Sequence, residues 1–159
     1  MKITICGSML FLPQMQEMKE VLEFNGHEVV IPFTTEGEKV QNGNYLKQWH
    51  GEDGEISVVS PNDEVWDIKK SSILSYFEKV LDADAILVAN YTKNDIEGYV
   101  GGNTLMEMGM ALNAGKVIYL LNLPDISKLS YGEEIFGCRP IILGGSISCL
   151  LKQCEQREI

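Results

Sequence analysis

The sequence is poor in the residues that grip polyanions. Arginine occurs only twice, at Arg139 and Arg157, and 13 lysines and arginines face 23 acidic residues, for a net charge of −10. A basic footprint is what a nucleic-acid backbone or an anionic membrane requires, so neither is expected as a partner. A small anionic ligand held by backbone N–H groups stays compatible with this balance. The four cysteines, Cys6, Cys138, Cys149 and Cys154, form no CxxC pair and no metal-ligand spacing. They read as reduced, mostly buried thiols. The two histidines, His27 and His50, read as a turn residue and a loop residue, and no metal is expected. No stretch approaches the roughly 20 apolar residues of a membrane span. Met1–Gly7 lacks the basic segment and long apolar core of a secretory signal, and a cytoplasmic location is expected.

What is present is an ordinary globular composition, 45% hydrophobic and 23% charged over 159 residues. One domain covering residues 1–159 is expected, with a core large enough to need no disulfide or metal. Lys2–Cys6 is a β-rich run closed by Gly7-Ser8. Met15, Met18 and Leu22 recur at helical spacing between Pro13 and Asn25, with Asn25-Gly26 as the stop. Glu28–Pro32 reads as a second strand. Residues from about 34 to 61, carrying Tyr45, Leu46 and Trp49, form a long insert of the kind that serves as a lid or binding loop, with Ile56–Val59 as a candidate edge strand. A helix is expected from Asn62 or Asp63 to Leu81, with Ile73, Phe77 and Val80 inward. Ala85–Ala89 and Val117–Leu121 are continuous apolar runs typical of central parallel strands. A helix from Leu105 to Asn113 lies between them. Pro140–Leu143 and Ser146–Gln153 read as a last strand and helix.

Strands alternating with helices predict an α/β fold, a three-layer sandwich around a mostly parallel, flavodoxin- or Rossmann-like sheet. Ligands of such sheets sit at the carboxyl ends of the strands, near the point where strand order reverses. The loops after Cys6 and after Ala89 are therefore the candidate mouths of a site. The first carries Gly7, Ser8 and Met9, where a glycine admits a ligand to the backbone and a serine offers a hydroxyl; a plain tight turn explains the same residues. The second runs through Gly101, Gly102 and Asn103 into Thr104-Leu105-Met106-Glu107-Met108-Gly109-Met110-Ala111. Glycines opening a helix leave N–H groups for an anion or hydroxyls. Glu107 is expected in the first turn, where the helix dipole keeps a carboxylate ionised. Such a carboxylate suits covalent catalysis at a sugar carbon. The rival reading is a capping box, since Thr104 and Glu107 stand three apart. Tyr45, Trp49, Trp66, Tyr91 and Tyr99 are candidates for stacking on a base or for plain loop packing.

The Cys6-Gly7-Ser8 turn, the Ala83-Asp84 pair before an apolar strand and the Gly-rich entry into Met106–Ala111 occur together and in order. This combination resembles the nucleoside 2-deoxyribosyltransferase superfamily, which includes 2'-deoxynucleoside 5'-phosphate N-hydrolases, over Met1 to Leu121 except the insert. The resemblance implies Glu107 as the nucleophile on C1' of a deoxyribose, and Gly7 and Ser8 as sugar or phosphate contacts. It implies a nucleoside or nucleotide as small-molecule partner, no cofactor and a homo-oligomer. Two positions depart from the family. Its aspartate eight residues before Asp84 is Tyr76 here, beside Ser75, with Glu78 the nearest acid, and its serine or aspartate six residues before the nucleophile is Gly101. A positioned acid contributes about 10²–10⁴-fold in rate, so Tyr76, Asp95 or Glu97 must take over, or the chain binds nucleotides without cleaving them. The scarcity of arginine favours neutral nucleosides over monophosphates.

Overall fold

The computed structural model describes residues 1–32 and 65–155. The expected insert, its candidate edge strand, Tyr45, Trp49, His50 and the expected cap Asn62 lie outside the described residues. The chain divides into two units, one of Met1–Pro32 with Lys79–Ile159 and one of Phe33–Glu78.

In the first unit five strands form a wholly parallel sheet. They are β1 (Lys2–Cys6), β2 (Glu28–Val30), β3 (Ala85–Val88), β4 (Val117–Leu120) and β5 (Ile141–Ile142). Their order across the sheet is β2-β1-β3-β4-β5. The chain moves outward from β1 to β2, then returns to the other side of β1 to add β3, β4 and β5. The reversal falls between β1 and β3, which pair from Ile3 with Ala85 to Cys6 with Val88. The helices, in chain order, are α1 (Leu12–Phe24), α2 (Val65–Asp82), α3 (Gly102–Asn113), α4 (Gly132–Gly137) and α5 (Ser148–Glu155).

Strand side chains alternate between the two faces, and the core divides accordingly. Ile3, Ile5, Ala85, Leu87, Tyr119 and Leu121 pack with Met15, Met18 and Leu22 of α1 and with Leu150 of α5 in one cluster. The intervening residues Thr4, Cys6, Ile86, Val88, Ile118 and Leu120 are buried on the opposite face. That face meets the buried side of α3, made of Thr104, Met108 and Ala111 at helical spacing. Right-handed crossovers on either side of the reversal require this division into three layers. The buried Thr4 hydroxyl donates to the Lys79 carbonyl at 2.9 Å, which satisfies the polar group of that face.

Local chemistry sets the helix ends. α1 starts one residue before Pro13, whose missing N–H is harmless there. It stops at Asn25, followed by Gly26 at φ +82°. The connection after β4 holds two short elements with no helical period in the sequence, a 3-10 turn at Ile126–Lys128 and α4. In the second unit, α2 carries half-buried Trp66, Ile73, Tyr76 and Phe77. Among the described residues no helix is long and apolar enough to cross a membrane.

Candidate functional site

The reversal between β1 and β3 concentrates the polar side chains. After Cys6 the backbone turns at Gly7 with Ala89 close behind it. A Cβ at Gly7 would lie 3.0 Å from the Ala89 carbonyl oxygen and 2.7 Å from Met15 Cε, so a side chain has no room. Ser8 then caps the following 3-10 turn, its Oγ accepting from the Leu10 N–H at 3.4 Å. Met9 is half-buried in that turn.

The loop after β3 is a small hairpin. Lys93 and Ile96 exchange backbone hydrogen bonds at 3.1 and 3.0 Å, and the Tyr99 N–H donates to the Tyr91 carbonyl at 3.0 Å. The two residues between Lys93 and Ile96 take left-handed conformations, Asn94 at φ 51° and Asp95 at φ 57°. A two-residue turn of this handedness matches the strand twist, and Asn and Asp tolerate it best after glycine. The hairpin leans on the first loop. The Tyr91 ring meets Phe11 edge-on at 5.4 Å between centroids. Lys93 Nζ donates to Ser8 Oγ at 3.0 Å and lies 5.2 Å from the centre of the Tyr99 ring.

Two asparagines fix the base of this hairpin. Asn90, fully buried, donates to the carbonyls of Asn122 at 2.8 Å and Gly98 at 3.2 Å, and its Oδ1 accepts from the Asn122 N–H at 2.9 Å. Asn122 returns a hydrogen bond to the Asn90 carbonyl at 3.0 Å. The ends of β3 and β4 are thus joined through side chains where the sheet itself has stopped. Gly98 sits at φ +60° against the backbone of Leu123 and Pro124.

The second glycine-rich segment differs from the expectation. α3 starts at Gly102, three residues earlier than Leu105, and Gly101 is its N-cap without a side-chain hydrogen bond. Thr104 is therefore a buried third residue of the helix and no N-cap, which removes the capping-box reading. Glu107 also leaves the first turn, which holds no acidic residue, and the dipole argument for its ionisation weakens accordingly. Position 107 lies between Thr104 and Ala111 on the side that faces the sheet. There the carboxylate acts on the Cys6 thiol, whose Sγ donates to the Thr4 carbonyl at 4.0 Å, and one carboxylate oxygen, Oε2, is buried. Burial first, and then the Glu107 charge, push the Cys6 thiol well above its ordinary value, so it stays protonated.

The structure thus brings Glu107 to the end of β1, next to Gly7, and brings Ser8 to Lys93. Gly101 is half-buried, and a Cβ there would meet the Tyr99 ring at 3.3 Å, so Tyr99 occupies the space of the side chain that the family carries. Gly102 and Asn103 are exposed in the first turn of α3, where N–H groups lack intrahelical partners. Tyr76 lies on α2 in the second unit. Asp95 and Glu97 are exposed on the hairpin. Lys93, Asn90 and Asn122 are not singled out by the sequence. The one signal was the Asn94-Asp95 pair, which marks the turn that aims Lys93. Among the described residues no group of three or more His, Cys, Asp or Glu is placed to hold a metal ion.

No protein-family model and no curated protein sequence matches the chain. Solved structures similar to it include two enzymes. A 2-deoxyribosyltransferase from the psychrotolerant bacterium Bacillus psychrosaccharolyticus shares 17% identity over 75% of this chain and 70% of its own, with a TM-score of 0.44. A CMP N-glycosidase of Clostridium botulinum, BcmB, shares 15% identity over 99% of both chains, with a TM-score of 0.49.

Proposed function

We propose that the protein cleaves or exchanges the N-glycosidic bond of a nucleoside or nucleotide, with Glu107 as nucleophile. The carboxylate oxygen attacks C1' of the sugar, the bond from C1' to the base nitrogen breaks with its electron pair going to the base, and the departing base takes a proton from solvent water. Water or a second base then attacks C1' and frees Glu107. The observation that carries this reading is the position of Glu107. Its carboxylate leaves its own helix start and reaches the end of β1 beside Gly7, where open parallel sheets bind ligands. Gly7 lets the end of β1 pack directly against Ala89 and Met15, which fixes the turn that carries Ser8. The Cys6 thiol, kept neutral by burial and by the Glu107 charge, stands beside the carboxylate without neutralising it. The two similar structures are those of enzymes whose names state this chemistry for them.

The test is a base-exchange and hydrolysis assay over a panel of nucleosides and nucleotides, with wild type, Glu107→Gln and Glu107→Ala. Loss of the nucleophile is expected to lower kcat by about 10³-fold or more while the melting temperature holds. Equal rates in wild type and variants would remove the nucleophile from the reading. A second reading, a nucleotide-binding module without turnover, draws on Tyr76 and Gly101 standing where the superfamily carries polar or acidic groups. Tight calorimetric binding of nucleotides with no product over long incubation would establish it.

A further inference from the structure

The connection after β4 is bonded to the hairpin after β3 through four of its residues. Asn122 pairs with Asn90 at the base. The Asp125 N–H donates to the Glu97 carbonyl at 2.9 Å, and Lys128 Nζ donates to the Asp95 carbonyl at 2.9 Å. The Tyr131 hydroxyl donates to the Val100 carbonyl at 2.7 Å. The 3-10 turn at Ile126–Lys128 and α4 pack tightly enough to deliver these groups. A Cβ at Gly132 would lie 2.5 Å from the Ile126 Cβ, so the residue after Tyr131 has no room for a side chain.

Of the four, the Tyr131 bond falls where the hairpin becomes α3. Val100 is fully buried and immediately precedes Gly101, an N-cap with no side chain to hold the helix start. On the hairpin side, the Tyr99 ring lies 3.3 Å from where a Cβ of Gly101 would stand. Two tyrosines from two loops therefore flank the start of the helix that carries Glu107. Burial, and then Tyr99, push the Tyr131 phenol above its ordinary value, so it remains a donor across the neutral range.

The buried stripe of Thr104, Met108 and Ala111 decides which face of α3 meets the sheet. That packing is non-directional, whereas a hydrogen bond has a preferred length and angle, so the Tyr131 bond sets where along its axis the helix begins. Glu107 follows Gly101 by six residues, about 9 Å of helix. A rigid helix passes a shift at its start on to that carboxylate.

We propose that Tyr131 is a positioning residue for the reaction: through Val100 it fixes the axial position of α3, and so the reach of the Glu107 carboxylate toward C1'. This rests on the N-glycosidic reading above and adds to it a residue that acts through the helix and not on the substrate. Lys128 is the internal control, because its bond ends on the exposed tip of the hairpin, away from the helix start.

The experiment measures kcat and KM for the four 2'-deoxynucleosides, the four ribonucleosides and their 5'-monophosphates, using wild type, Tyr131→Phe and Lys128→Met. Amide hydrogen exchange at Leu105, whose N–H makes the first bond of α3 to the Gly101 carbonyl at 2.9 Å, is followed in the same proteins without substrate. A nucleophile displaced by a fraction of an ångström is expected to lower kcat in Tyr131→Phe by roughly 10-fold or more, with KM within about twofold. Exchange at Leu105 should rise in that variant alone, and Lys128→Met should keep kcat within about twofold of wild type. Unchanged kcat in Tyr131→Phe overturns the proposal. So does an equal loss in both variants, which would mark a general loosening of the connection. A lowered melting temperature with kcat of the folded protein preserved reduces Tyr131 to a stabilising residue and also overturns it. Should wild type turn over no member of the panel, the N-glycosidic reading fails by itself. The exchange arm then decides the placement of the helix start, and unchanged exchange at Leu105 refutes it.

Discussion

Strand β1 carries charge at both of its ends, and the two ends are built differently. At its start, Lys2 meets Glu28 at 2.8 Å and Asp82 at 2.6 Å, and its backbone N–H donates to Asp84 at 2.7 Å. These charges cancel one another at the surface. At its finish, Glu107 faces a thiol and Lys93 faces a hydroxyl and an aromatic ring. The Lys93 ammonium is thus met by neutral groups, where that of Lys2 is met by two carboxylates. A cluster that satisfies itself holds a fold together, whereas charges met by neutral groups are placed for a ligand.

Three substitutions probe this contrast beyond those already described. The largest effect is expected at Gly98. An alanine there would have to hold φ +60° with its Cβ 2.6 Å from the Leu123 carbonyl oxygen and 2.7 Å from Pro124 Cα, both backbone atoms that cannot swing away. Gly98→Ala should cost about 2–4 kcal/mol in denaturant unfolding and displace Lys93 with its hairpin, lowering activity as well. A variant as stable as wild type would show that the loop after β3 is free to shift.

Asn90→Ala comes next. It strands the Asn122 N–H and the carbonyls of Gly98 and Asn122 in a buried setting, at about 1–3 kcal/mol. The same change should raise hydrogen exchange at the Asn122 amide. Unaltered exchange would mean that the asparagine pair does not clamp the ends of β3 and β4.

The smallest effect belongs to Lys2→Met, which leaves activity as it was and alters only how stability depends on pH. The hydrogen bond and charge of Lys2 hold Asp82 below its ordinary 3.8, so its contribution exists above that value and fades as pH falls through the lowered one. Lys2 itself is raised above 10.5 by Asp82 and then Glu28, so its contribution exists below 10.5 and fades on further alkalinisation. The melting difference between wild type and Lys2→Met should therefore be small, level across the neutral range, and close below about pH 4. A difference that changes between pH 5 and 9 would assign the cluster a buried role.

The fold was legible because its signals are local. Ala85–Val88 and Val117–Leu120 announce themselves as apolar runs, and Met15, Met18 and Leu22 as a helical stripe. The start of α3 was misplaced because Gly102 and Asn103 are weak helix formers, and the buried Thr104 reads as a cap when only its neighbours in sequence are seen. Glu107 could be chosen as the acid of interest from its motif, yet its partner Cys6 is about a hundred residues away and no spacing rule connects them. Lys93 was hidden for the same reason. Its role comes from the Ser8 hydroxyl 85 positions earlier, and a single lysine in a polar loop looks like any other.

The sheet also closes off one kind of association. Among the described residues its outermost strands are β2, three residues long with exposed Glu28 at its start, and β5, only two residues long. A template for adding a strand from another molecule needs a longer unpaired run than either offers, and a charge on the rim opposes it further. These two described edges are therefore poor seeds for strand addition from a like molecule.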